Sequence, residues 1–105
     1  MVVVLFRAVA GGGADAEAAF AEVVPPTHAE EGCVLFAVHR VAGDPDRFVL
    51  IERWASREAL DEHLASPHLA AFRARGAGIW AEPPEITLAE ALPLGEAEKG
   101  SLAGV

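Results

Sequence analysis

The 105-residue chain has no tyrosine, a single cysteine and a single lysine, and half as many basic as acidic side chains. Without tyrosine, no mechanism here can use a tyrosyl hydroxyl. Cys33 cannot close an internal disulfide, which suits a reducing cytoplasm. A net charge of −8 leaves little to neutralise phosphates, which argues against nucleic acid and anionic membranes as partners. No apolar run approaches the ~20 residues needed to cross a bilayer. The opening Val2–Phe6 is too short for a signal-peptide core and follows no basic residue, so a soluble cytoplasmic protein is expected.

What the chain does have is apolar content, 52% of its residues, enough for one domain with a single core. Val2 to Val9 is a near-continuous apolar run broken only by Arg7, which reads as a strand covered on both faces. Gly11-Gly12-Gly13 stops it, and a helix follows with Ala16, Phe20, Val23 and Val24 on one face. Pro25-Pro26 is expected to break or kink that helix. Cys33–Val41 reads as a second strand. The turn Ala42–Asp46 joins it to Arg47–Trp54 as a hairpin. Ser56 caps a helix that puts Ala59, Leu60, His63 and Leu64 on one face. Ser66-Pro67 restarts a helix carrying Leu69 and Phe72, which Gly76 and Gly78 end. A last strand is expected over Glu85–Leu92.

Strand, helix, strand, strand, helix, strand is the ferredoxin-like α+β order, βαββαβ. Residues 1–92 are assigned to this domain, and 93–105 to a loose C-terminal arm. Helices cover one face of such a sheet, yet these strands are apolar on both. A second copy is the simplest cover, so a homodimer packed sheet against sheet, a dimeric α/β barrel, is expected.

Chemistry-bearing side chains concentrate between Phe48 and Phe72. Glu52 alternates with Phe48, Leu50 and Trp54 on one strand face. It is either buried with a partner, Arg7, Arg40 and Arg73 being candidates, or set in a pocket wall. His63 shares a helix face with Leu60 and Leu64, where its ring serves either as a structural hydrogen-bonding group or as a general base. His63 and His68 have a ligand-like spacing. However, Pro67 starts a new helix between them and no further ligands converge, so no metal site is expected. Trp54, Phe72, Phe36 and Trp80 serve the core or hold a flat ligand, and His39 either lines the same space or reaches solvent. Gly11-Gly12-Gly13-Ala14-Asp15-Ala16 fits a relaxed GxGxxA dinucleotide fingerprint. The following acids precede the second strand, and that strand enters a hairpin, so the cofactor reading is rejected.

Glu30-Glu31-Gly32-Cys33, the ERW at Glu52–Trp54, and Glu62-His63-Leu64-Ala65-Ser66-Pro67-His68 resemble the antibiotic biosynthesis monooxygenase family, its quinol monooxygenase-like members above all. The resemblance covers roughly residues 2 to 92. It implies oxygenation without metal, flavin or haem, on a quinol or polyphenol-like aromatic that supplies its own electrons. It also implies a role for His63 as base or orienting group. Trp54, Phe72, Phe36, His68 and His39 would then shape the aromatic site, and Glu52 would orient His63 or a substrate hydroxyl. Many relatives carry a tyrosine where this chain has Phe72. Haem degradation is disfavoured because Phe6 or Arg7, and Phe72 or Arg73, stand where that branch has its asparagine and histidine. Two other readings stay open: a non-catalytic dimeric module for a hydrophobic small molecule or stress response, and a small-carbonyl isomerase. The isomerase needs a cation at the pocket, and the only lysine, Lys99, lies in the tail.

Overall fold

In the computed structural model, which describes residues 1–102, four antiparallel strands form one sheet. The elements run β1 (Val2–Arg7), α1 (Gly13–His28), β2 (Cys33–Arg40), β3 (Arg47–Trp54), α2 (Arg57–Leu64), α3 (Pro67–Arg75), β4 (Glu85–Leu88) and a short α4 (Ala97–Gly100). The sheet order β2-β3-β1-β4 gives the ferredoxin-like α+β arrangement, with α2 and α3 together filling the second helical position. Among the described residues no helix is long and apolar enough to cross a membrane.

The register fixes which side chains share a face. Val2 pairs with Glu52, Val4 with Leu50, Phe6 with Phe48, and Phe36 with Glu52, so all of these point toward the helices. Val2, Val4, Phe6, Phe48, Leu50 and Trp54 are buried there against Ala16, Ala19, Phe20 and Val23 of α1 and Leu60 of α2. The alternate positions, Val3, Leu5, Leu35, Ala37, Val49 and Ile51, line the other face, where Leu5 is 44% exposed.

Three elements differ from the sequence reading. Helix α1 does not break at Pro25-Pro26 but continues to His28. The prolines withhold donors only from the carbonyls of Ala21 and Glu22, both at exposed positions where water can serve them. The Thr27 hydroxyl meanwhile donates to the Val23 carbonyl at 2.7 Å, and the Ala29 N–H to that of Pro25 at 3.1 Å. Strand β1 stops at Arg7, and Ala8 makes an isolated bridge to Trp80. Strand β4 ends at Leu88, after four pairs with β1. In the expected arm, residues 93 to 100 are all exposed; residues 103–105 lie outside the described residues.

The glycine-rich turn is closed by the chain itself. The Asp46 carboxylate accepts from the Gly11 N–H at 3.0 Å and the Gly13 N–H at 2.9 Å. A Cβ at Gly13 would overlap the Pro45 carbonyl, so only glycine lets α1 start this close to the hairpin. The donors that a dinucleotide phosphate would need are therefore already occupied.

Candidate functional site

The site is assembled where the α1–β2 connection passes α2. A Cβ at Gly32 would collide with the Ala59 methyl, and the Ala55 N–H donates to the Gly32 carbonyl at 2.8 Å. This close approach holds the Glu30–Cys33 segment beside α2. Ser56 caps α2 by accepting from the Ala59 N–H at 3.1 Å, and Ser66 caps α3 by accepting from that of Leu69 at 3.3 Å. The break between the two helices redirects the chain so that His68 turns back toward His63.

His63 is 2% exposed, and its Nδ1 lies 2.7 Å from Glu30 Oε2. His68 Nε2 lies 2.8 Å from the same oxygen, and the two rings are 5.9 Å apart. The expectation that no further ligand-type side chain converges on the two histidines is thus corrected: Glu30 joins them. An ionised carboxylate can only accept, so both imidazoles donate to it. With Nδ1–H committed to Glu30, Nε2 is the nitrogen that neutral His63 can offer as an acceptor. On its other side, the His63 ring lies against Trp54 with centroids 4.6 Å apart and planes at 31°. An imidazolium formed there would gain from both the indole face and the Glu30 charge.

Glu30, His63 and His68 are also the donor types that a divalent transition metal takes, and their ligand atoms lie within 4.8 Å of one another. Metal–ligand bonds of about 2.1 Å would set these atoms about 3 Å or more apart. The 2.7 and 2.8 Å separations are those of two hydrogen bonds to one oxygen.

Glu52 is 6% exposed and accepts from Trp54 Nε1–H at 3.0 Å. Burial pushes its carboxyl above the ordinary range, the Trp54 hydrogen bond and nearby His63 oppose this, and the Glu30 charge adds to it. None of the expected arginine partners reaches Glu52. Arg7 pairs with Glu82 and Arg40 with Glu17, while Arg73 lines the cavity described next.

Between the sheet and the helices lies an apolar cavity of about 360 Å³. Val4, Phe20, Leu50, Leu60, Phe36 and Phe72 supply apolar wall, and Glu52 and His63 the polar groups of the buried part. Arg57 and Arg73, both exposed, lie on the same lining. Of the residues singled out from sequence, His63, Glu52, Phe36 and Phe72 therefore face one space. Trp54 does not line it; it lies against the His63 ring and holds Glu52. His68 does not line it either, being half-buried on Glu30. His39 is corrected outright. It pairs with Val49 on the opposite face of the sheet, is exposed, and donates from Nδ1 to the Val49 carbonyl at 3.3 Å.

The sequence reading had not placed Glu30, Arg57 or Arg73 at the site. Glu30 carried one signal, its place at the head of the Glu30-Glu31-Gly32-Cys33 segment that bears the family resemblance. Of the two roles expected for Glu52, orienting His63 or a substrate hydroxyl, the first is corrected. Glu30 makes that bond, and Glu52 bonds Trp54.

Residues 1–75 match the family model described as "Antibiotic biosynthesis monooxygenase". Rv0793 of Mycobacterium tuberculosis is 40% identical over 75 residues, which are 71% of this chain and 71% of that protein. The "Probable quinol monooxygenase YgiN" of Escherichia coli is 41% identical over 61 residues, covering 50% of this chain and 59% of its own length. Among solved structures, that of Rv0793 superposes with a TM-score of 0.78 at 36% identity, over 91% of this chain and 95% of that one. A crystal structure described as an antibiotic biosynthesis monooxygenase gives 0.81 at 25% identity, over 88% and 97%.

Proposed function

Because the chain belongs to the antibiotic biosynthesis monooxygenase family, we propose that it oxidises a quinol or polyphenol-like aromatic with O2, the substrate supplying the electrons. The observation that carries this reading is the buried His63. Glu30 fixes its tautomer, and it lines an apolar cavity of a size suited to a small flat molecule.

His63 Nε2 takes the phenolic proton, and the imidazolium is stabilised by Glu30 and by the Trp54 face. The phenolate passes an electron to O2, and the radical pair combines at a ring carbon. One oxygen atom becomes a ring carbonyl and the other leaves as water, so that a phenol and O2 become a quinone and water. Phe36, Phe72 and the aliphatic walls hold the ring and keep bulk water from quenching the radicals. Glu52 in its neutral form can donate to a substrate oxygen.

Oxygen uptake on a panel of polyphenols, corrected for autoxidation, should fall about a hundredfold or more in His63→Ala. Equal rates in variant and wild type would remove His63 from the chemistry. Arg57 and Arg73 on the cavity lining favour a second reading, an isomerase of a small anionic carbonyl compound. That activity would persist under strict anaerobiosis, where oxygenation stops.

The working form in this proposal is a cytoplasmic homodimer, the partner's sheet covering the aliphatic face that carries Val3, Leu5, Val49 and Ile51. Sedimentation at micromolar concentration should give a species of twice the 11.0 kDa chain mass, and a monomer alone would contradict it.

A further inference from the structure

The chain carries twice as many acids as bases, and its cations are almost all engaged. Arg7, Arg40, Arg47, Arg57 and Arg75 meet Glu82, Glu17, Asp44, Asp61 and Glu22, and Lys99 meets Glu96. Arg53 also makes an interaction. Arg73 alone has no partner among the described residues, and it is a cavity-lining residue. In a protein of net charge −8, an uncompensated guanidinium would more readily find a carboxylate of the chain on an open surface than on an apolar cavity.

The two kinds of polar group on this cavity also differ in depth. His63 and Glu52 are 2% and 6% exposed, whereas Arg73 is exposed. Between them the wall is apolar. A ligand filling this space presents a hydroxyl to the buried histidine and, at its other end, a group that suits a solvent-side guanidinium. The fork of an unpaired arginine matches a single carboxylate through two parallel hydrogen bonds. A doubly charged phosphate would ask for a second free cation, and Arg57 is already paired with Asp61 at 3.2 Å.

We propose that the substrate is a hydroxylated aromatic bearing a carboxylate, with Arg73 as the residue that reads the carboxylate. The inference rests on the cavity being the substrate site, as in the function proposed above. It makes Arg73 a determinant of specificity and gives it no part in the electron or proton transfers.

The test is binding without turnover. Under argon, 2,5-dihydroxybenzoate and its uncharged analogue 2,5-dihydroxybenzamide are titrated against the full chain, with the heat of binding as the signal. The acid should bind about tenfold tighter than the amide, and raised salt should erode that preference. In Arg73→Gln the ratio should fall toward one, and in Arg73→Glu it should invert. The exposed position keeps both variants foldable, which their melting curves verify. Equal affinities in the wild type, an undiminished acid preference in Arg73→Gln, or binding of neither probe would each overturn the proposal. If the acid preference stands while no oxygen is consumed with either compound, the oxygenase reading fails and the substrate class survives.

Discussion

The two sides of the His63 ring are built from opposite materials. On one side a turn brings Glu30 and, through it, His68. These groups are 18% and 19% exposed and are joined by short hydrogen bonds. On the other side lies a cavity walled by Phe20, Leu60 and Phe72, with Glu52 its most buried carboxylate. Each side has one carboxylate, and the surroundings set them apart. Glu30 accepts two imidazole N–H groups at one oxygen. Glu52 accepts one indole N–H, and burial pushes its carboxyl upward. A single histidine placed between them can lean on the Glu30 carboxylate while facing a largely apolar space, the condition a proton acceptor for a phenol needs.

The sharpest way to break this contrast is Glu30→Gln. It keeps the shape of the side chain, and its amide oxygen can still accept from both imidazoles, but the charge is gone. We expect kcat to drop about a hundredfold with little change in KM, because an imidazolium formed at His63 would lose its anionic partner. A kcat within twofold of wild type would reduce the Glu30–His68 side to scaffold.

The smaller effect is expected at Glu52→Gln and concerns stability. A carboxyl raised in the folded state holds its proton where the unfolded chain has already lost it. Its contribution is therefore fully present below the ordinary Glu range and is lost as pH rises through the folded value. Glutamine can still accept from Trp54 and never ionises. The variant should therefore match or exceed wild type at neutral pH, and should lack this part of the downward slope above about pH 4. Denaturation curves across that range measure it, and parallel slopes for the two proteins would refute the assignment.

Much of the frame was legible in the sequence because it depends on neighbours along the chain. The hairpin Cys33–Trp54, the Ser56 cap and the Ser66-Pro67 restart are local signals, and each stands where those signals put it. Glu52, Phe36, His63 and Phe72 share a cavity as the strand and helix periods indicated. Contacts that join distant segments were not legible. Glu30 meets His63 across 33 positions, and although its segment carries the family resemblance, no periodicity says that this acid of the sixteen does so. His39 was misplaced for a reason of register. The pairing is regular from Leu35 to Arg40, so once Phe36 turns inward His39, three residues on, must turn outward. The prolines of α1 misled because a missing donor is costly only where the orphaned carbonyl is away from water.

The Asp46 carboxylate, lodged between the Gly11 and Gly13 amides, has a consequence for how the molecule comes apart. It ties the tip of one hairpin to the first turn of the longest helix, across 35 and 33 positions of chain. An anion at a helix start also suits the positive end of the helix dipole. The first turn of α1 therefore cannot fray while the hairpin stays intact. Phe20 of that helix and Leu50 of that hairpin both line the cavity. Opening either element at that end therefore means breaking the Asp46 hydrogen bonds to the other, which couples helix and hairpin in local unfolding.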